Sequence, residues 1–288
     1  MMGTENRMYP WLDYDGRVSP FKSVVLALLV LPGIWIAAAY AMRWLGPRPL
    51  NEAIHQCGLW MVRFLLIALA VTPARQILHW PRLILVRRMI GVAAFCYGMA
   101  HLLLYVADEA FDLATVASEI ALRFYLTIGF VALLGVAALA LTSTDGMVRR
   151  LGGRRWQRLH RTVYFIGVLG IIHYFLQAKL DVYEPTFIAG FFVWLMGYRA
   201  VLWRRRDRRV PLWAVALLAP AAAALTALGE AAYFRLALGV DPMLILSADV
   251  TMLRPASIVL ACGLAVALAA ALRHPAAKRQ AKLRLRPA

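Results

Sequence analysis

The chain has 288 residues, of which 62% are apolar and 16% charged, with a mean hydropathy of +0.66. Soluble domains run near half apolar and a quarter charged, so these figures exclude an ordinary soluble domain and point to a chain solvated by lipid. The net charge of +17 does not describe a nucleic-acid surface, because Lys and Arg stand in short clusters between apolar runs and not on a polar face.

Apolar runs near the 20 residues needed to cross a bilayer predict eight spans, roughly 21–45, 59–78, 89–106, 120–141, 159–177, 186–203, 212–234 and 255–272. They are too long and continuous for soluble strands, and open strand edges have no place in hydrocarbon. The expected fold class is therefore an all-α polytopic membrane protein, a helical bundle of about eight transmembrane helices. Pro32 and Pro220 fall inside spans and should kink a helix without ending it. Ala39-Tyr40-Ala41 has the form of a signal-peptidase site, but the long run and acidic flank favour a retained anchor.

The basic residues give the orientation. With the N-terminus in the cytoplasm, 25 Lys and Arg fall on the inner side and six on the outer, with Arg63 inside the second span. The acids divide the other way, five inside and ten outside. The positive-inside rule then places both termini in the cytoplasm. The expected organisation is a cytoplasmic segment at 1–20, a six-span core at 21–205, two additional spans at 206–273 and a basic tail at 274–288. The basic clusters need no partner beyond anionic membrane lipid. Cys57, Cys96 and Cys262 lack C-x-x-C spacing, which excludes a zinc ribbon, a thioredoxin motif and covalent c-type haem attachment.

An ionisable residue within hydrocarbon is costly and is by default a functional candidate. His101, in the third span, lies 13 residues beyond Arg88, about 20 Å along a helix. His173, in the fifth, lies at a similar depth counted from Gln157. Two imidazoles at one depth on different helices are the arrangement a b-type haem needs, with one nitrogen on each side of the iron. The plainer alternative is that each histidine bonds a neighbouring helix and binds nothing.

His160 stands 13 residues before His173, so a second haem on the inner side would complete a wire across the membrane. Two observations count against a regular pair there. Thirteen residues of ideal helix rotate by about 220°, and the third span offers Arg88 where a partner histidine would stand. His55 is either a haem-edge contact or a solvated loop residue. Arg63 either pairs with a haem propionate or snorkels to the headgroups. His79 reads as solvated and His274 as part of the tail. The tryptophans and tyrosines, mostly at span ends, read as interface anchors.

Several ordered motifs carry a family resemblance. Val71-Thr72-Pro73-Ala74-Arg75, Arg87-Arg88 followed by Gly91, and His101 with Tyr105 resemble the MsrQ family of haem-binding membrane subunits, also called YedZ. So do Arg123-Phe124-Tyr125-Leu126-Thr127-Ile128-Gly129, Leu141-Thr142-Ser143-Thr144, Trp156-Gln157-x-Leu159-His160-x-x-x-Tyr164 and Ile172-His173-Tyr174. The resemblance spans about 21–205 and extends to the wider ferric-reductase-like transmembrane group.

It implies a bacterial inner-membrane cytochrome carrying haem b, one or two, and FMN. Electrons would come from the quinone pool or a cytoplasmic flavin reductase. They would pass to MsrP, a periplasmic molybdopterin enzyme that reduces methionine sulfoxide in oxidised proteins. By position His101 and His173 take the family's haem-ligand places, His160 that of its third functional histidine, and His55 a family histidine. The chain would be an electron-transfer subunit and not a stand-alone catalyst. No Gly-rich phosphate loop precedes a helix, so FMN is implied by the resemblance alone. The runner-up reading is a ferric-reductase-like cytochrome reducing an extracellular metal or quinone. The other is a transporter or structural membrane protein, though no internal repeat of the transporter kind is evident.

Overall fold

The computed structural model describes residues 10–13, 15–205, 210–247 and 253–284, with side chains as far as residue 273. Arg7, the Arg206, Arg208 and Arg209 cluster, the basic side chains from His274 onward and the end of the tail lie outside the described residues. Twelve α-helices make up the described chain, and among the described residues the only β feature is an isolated bridge between Leu12 and Val18.

The helices are α1 (Pro20–Ala41), α2 (Pro49–Ile77), α3 (Arg87–Asp108, after a 3-10 turn at Pro81–Val86), α4 (Leu113–Leu122), α5 (Phe124–Leu141) and α6 (Asp145–Leu151). They continue as α7 (Gly153–Arg161), α8 (Val163–Ala178), α9 (Tyr183–Arg204), α10 (Leu212–Leu238), α11 (Pro242–Leu246) and α12 (Pro255–Arg284). Four begin on proline, whose missing N–H costs nothing in a first turn. Polar caps start the short helices. Asp112 accepts from the Ala114 and Thr115 N–H groups at 3.0 and 3.1 Å, and Thr144 Oγ1 from Met147 N–H at 3.2 Å.

Eight helical segments are long and apolar enough to cross a membrane, in the order expected from the sequence. Leu122, Trp203 and Leu236 are each more than four-fifths exposed, an arrangement that suits lipid and not water. The protein is a multi-pass membrane protein.

Three features differ from the sequence expectation. The fourth span does not begin at 120, because the backbone is extended at Arg123 (φ −96°, ψ 105°) and separates α4 from α5. Thr127 Oγ1 donates to the Ile120 carbonyl at 2.6 Å, supplying the hydrogen bond that a continuing helix would have made. The fifth span is longer than expected and is built from α7 and α8. They meet at Thr162, whose N–H bonds the Leu159 carbonyl three residues back at 3.0 Å, so a tightened turn lies between His160 and His173 and the rotation of an ideal helix does not apply unaltered. The short helices α4, α6 and α11 also occupy segments read as loops.

The described chain divides into two compact units. The first holds the residues up to Ala68 and Ile84–His173; the second holds Leu69–Leu83 and the residues from Tyr174 onward. In the first, α3 packs on α1 and α5, and α4 on α5. Ile36, Ala53 and Cys57 are buried there beneath Trp60, Tyr97 and Leu104, and Tyr97 Oη–H donates to the Leu29 carbonyl at 3.0 Å.

In the second unit α9, α10 and α12 pack on one another. Arg254 pairs with Glu230 at 3.0 Å, both largely buried, and Tyr198 Oη–H donates to Gln76 Oε1 at 3.0 Å. Pro73 lies inside α2 and has no N–H to give the carbonyl of Leu69, four residues back. Arg199 Nη2 donates to that carbonyl at 2.6 Å.

Candidate functional site

His101 on α3 and His173 on α8 face one another, with ring centroids 6.4 Å apart and ring planes at 83°. Each ring is fixed through Nδ1. His101 Nδ1–H donates to the Ile54 carbonyl of α2 at 2.8 Å, and His173 Nδ1–H donates to the Tyr125 carbonyl of α5 at 2.8 Å. A carbonyl can only accept, so Nδ1 carries the proton in both neutral rings and Nε2 keeps its lone pair. The pair therefore offers two imidazole ligand atoms, each braced by main chain from a second helix.

The backing helices share a local arrangement. Gly58 follows Ile54 by four residues and Gly129 follows Tyr125 by four. A methyl group on Gly58 would lie 3.1 Å from His101 Nδ1, and one on Gly129 would lie 2.6 Å from His173 Nδ1 and Cε1. Both rings thus occupy space that any other residue's Cβ would claim. Among the described residues no group of three or more His, Cys, Asp or Glu could hold a metal ion.

A polar brace stands four residues along α3 from His101. Tyr105 Oη–H donates to Glu119 Oε2 of α4 at 2.6 Å, and Glu119 Oε1 accepts from Arg123 Nη2. Arg123 is two residues before Tyr125, whose carbonyl holds His173. Hydrogen-bonded side chains thus tie the end of α3 to the turn that opens α5.

The other residues singled out in the sequence fall elsewhere. The His160 ring stacks on Trp156 with centroids 3.8 Å apart. Its Nδ1–H donates to the Trp156 carbonyl at 3.1 Å, and Nε2 lies 3.3 Å from Ser143 Oγ, whose hydroxyl also donates to the Leu139 carbonyl at 2.7 Å. These contacts place Trp156 and Ser143 against His160, and no second histidine stacks on it among the described residues. Arg88 is paired with Asp145 at 2.8 Å. Arg63 is half-buried with its guanidinium 5.1 Å from the centre of the Trp60 ring, a cation–π contact one turn along α2. His55 is exposed beside Ile54, and His79 is exposed in the turn after α2.

Sequence reasoning missed Gly58, Gly129 and the two carbonyls. Gly129 stood inside a motif, but its role depends on what lies across from it. The available signal was a glycine within an apolar helix, a position that costs helix stability and so asks for a reason.

Comparison with known proteins adds an independent line. A family model described as "Ferric reductase like transmembrane component" matches residues 55–171, a stretch that includes His55, His101 and His160 and stops just before His173. A relative from Rhodospirillum rubrum, named protein-methionine-sulfoxide reductase heme-binding subunit MsrQ, is 43% identical over 202 residues, covering 69% of this chain and 95% of the relative. Relatives of the same name from Azospira oryzae and Caulobacter vibrioides are 36% and 39% identical, covering 64% and 62% of this chain and 80% and 89% of their own lengths. No solved structure matches the chain significantly. With nearly the whole of one relative aligned at 43% identity, the chain belongs to the MsrQ family.

Proposed function

We propose that the chain is the haem-binding electron-transfer subunit of a methionine sulfoxide reductase system, in which His101 and His173 would hold one b-type haem. The observation that carries this reading is the facing pair of imidazoles with matched proton placement. A first-row metal binds an imidazole nitrogen at about 2 Å, so rings on opposite sides of one metal have centres roughly 6 Å apart. The 6.4 Å separation fits. The names of the family relatives support the same conclusion.

A haem bound here supplies reversible one-electron chemistry. The chain's own residues do the rest. Ile54 and Tyr125 fix the tautomer and pose of the ligands, and bonds from Nδ1–H to a carbonyl raise imidazole basicity. Apolar helix faces exclude water, and together these set the reduction potential. Arg63 and His55 are assigned to the edge of the site. His160, stacked on Trp156 and beside Ser143, is assigned as a contact beyond this haem. FMN stands on the family alone, and no step is assigned to it.

The charge distribution supports an orientation with both termini in the cytoplasm of a bacterial inner membrane. Electrons would enter from quinone or a cytoplasmic flavin reductase and leave to a periplasmic MsrP-type partner. The six-span core at 21–205 would carry the haem. The alignment that takes in 95% of the Rhodospirillum relative leaves nearly a third of this chain outside it, about the length of the two additional spans at 206–273 with the tail at 274–288.

The test is an optical spectrum of the detergent-purified protein made with adequate haem supply. A Soret band and a reduced α-band are expected, and each should disappear in His101→Ala and in His173→Ala. A folded preparation without these bands would sink the electron-carrier reading. Bands unchanged in both variants would overturn the ligand assignment.

A further inference from the structure

We propose that Gly58 and Gly129 are positioning residues for the two ligand histidines. Each leaves one helix carbonyl open to an imidazole N–H and thereby sets the pose and donor strength of that ligand. The inference rests on the reading of His101 and His173 as haem ligands and extends it to residues that touch neither iron nor substrate.

Within a helix the carbonyl of residue i receives the N–H of residue i+4, and side chains four apart share one face. A second donor can reach the remaining lone pair of that carbonyl only where the side chain at i+4 does not cover it. Ile54 with Gly58 and Tyr125 with Gly129 meet this condition on two separate helices. The register is the same, and both bonds from the imidazole Nδ1–H are 2.8 Å long.

Other described glycines separate this role from ordinary close packing. A methyl on Gly98 would meet Met61 Sδ at 2.6 Å and Leu133 Cδ1 at 2.8 Å, with no histidine among its nearest atoms. A methyl on Gly170, three residues before His173 on α8, would meet nothing within 4 Å. The two key positions also differ in severity. At Gly129 the methyl would sit 2.6 Å from two ring atoms, closer than packing permits, whereas at Gly58 the 3.1 Å contact needs a shift of a few tenths of an ångström.

The chemical consequence follows from the hydrogen bond. Donation from Nδ1–H to a carbonyl pushes electron density toward Nε2, which favours the oxidised metal and lowers the reduction potential. A methyl that displaces the ring weakens the bond and raises the potential.

The experiment uses the full chain in detergent or nanodiscs, with Gly129→Ala, Gly58→Ala, Gly98→Ala and Gly170→Ala. Haem per polypeptide is measured by pyridine haemochromogen and the midpoint by redox titration. Gly129→Ala should weaken haem retention about 10- to 100-fold, the usual range for loss of an outer-shell partner, and Gly58→Ala should weaken it less. The haem that remains in both should titrate at higher potential. Gly170→Ala should match the parent, and Gly98→Ala should lower thermal stability without moving the midpoint. Parent-like haem content and midpoint in Gly129→Ala and Gly58→Ala would overturn the proposal, as would an equal midpoint shift in Gly98→Ala.

If Gly129→Ala yields no haem, the double variant His173→Gly/Gly129→Ala is supplied with imidazole. A ring freed from α8 can move clear of the methyl, so recovery of haem to the level of His173→Gly with imidazole is expected. Recovery in His173→Gly alone would overturn the proposal, because the methyl would then be damaging the fold. The His101→Ala and His173→Ala variants separate the two layers. If they retain haem, the ligand reading itself fails. If they lose it while the glycine variants are silent, only the present inference fails.

Discussion

Replacing Arg199 by methionine should destabilise the protein by about 1–2 kcal/mol, and most of that loss should vanish when Pro73 is replaced by alanine as well. Pro73 cannot give the Leu69 carbonyl its helical hydrogen bond, and Arg199 Nη2 fills that place at 2.6 Å while Nη1 bonds the Leu195 carbonyl at 3.1 Å. Hydrogen bonds to a charged group contribute about 1.5–3 kcal/mol, and the half-buried setting of the guanidinium argues for the lower part of that range. Methionine keeps the apolar stem and removes the donors. In the Pro73→Ala background residue 73 regains an N–H for Leu69, so the carbonyl is no longer left bare. The cycle should therefore show a coupling of about 1–2 kcal/mol between the two sites, well outside the few tenths expected of independent ones. Equilibrium unfolding in mixed micelles of rising SDS fraction, followed by tryptophan fluorescence, measures each corner. An Arg199→Met cost that is the same in both backgrounds would refute the assignment of Arg199 as the cap of the Pro73 gap.

Under the haem reading, the 83° angle between the imidazole planes predicts a strongly anisotropic low-spin EPR signal in the oxidised protein, because crossed planes leave the two iron orbitals they engage nearly equal in energy. A rhombic spectrum of the parallel-plane type would show that the rings do not keep this pose. His160→Ala should leave the Soret intensity per polypeptide unchanged, since the contacts of His160 are with Trp156 and Ser143; loss of half the intensity would instead reveal a second haem. Asp112, outside the spans, has its carboxyl held below the ordinary range by the Thr115 N–H and hydroxyl, which outweigh desolvation, with the Ala114 N–H adding to them. A depressed folded pKa means that the cap is in place above the unfolded carboxylate pKa and is lost as pH falls through the folded value. Amide exchange across Leu113–Leu122, corrected for its intrinsic pH dependence, should therefore lose protection in that acid window. In Asp112→Asn this acid-induced loss should be absent, and its persistence would remove Asp112 as the cause.

The span count was legible because lipid imposes it: runs of apolar residues near bilayer length leave few alternatives to helix. His101 and His173 were legible for the same reason, as ionisable side chains in hydrocarbon at matched depth. What the sequence concealed depends on partners far along the chain. Arg199 counted toward topology, yet its guanidinium caps a carbonyl 130 residues away. Gly58 reads as one small residue among many until the His101 ring is laid over it. The break at Arg123 was hidden because α4 and α5 are both apolar; the extended backbone at Arg123 and the bond from Thr127 to Ile120 mark the join. Reading His160 against an ideal continuous helix overlooked the tightened turn at Thr162.

The facing histidines are braced by backbone and not by acidic side chains, and under the haem reading this choice suits an electron carrier in lipid. A carboxylate behind each imidazole would bring a buried charge, costly in hydrocarbon and responsive to protonation. A helix carbonyl is neutral and held by its own helix, so it can orient a ring without adding a titrating group beside the metal. The cost falls on sequence, since a side chain four positions on crowds the ring, and on packing, since α2 must meet α3 and α5 must meet α8 closely at those points. Ring placement is thereby coupled to the docking of four helices. Substitutions that displace the Ile54 or Tyr125 carbonyl from the ring it holds, even without touching a histidine, should shift the midpoint along with stability. Substitutions confined to α10 and α12, which supply none of these ring contacts, should change stability and leave the midpoint where it is.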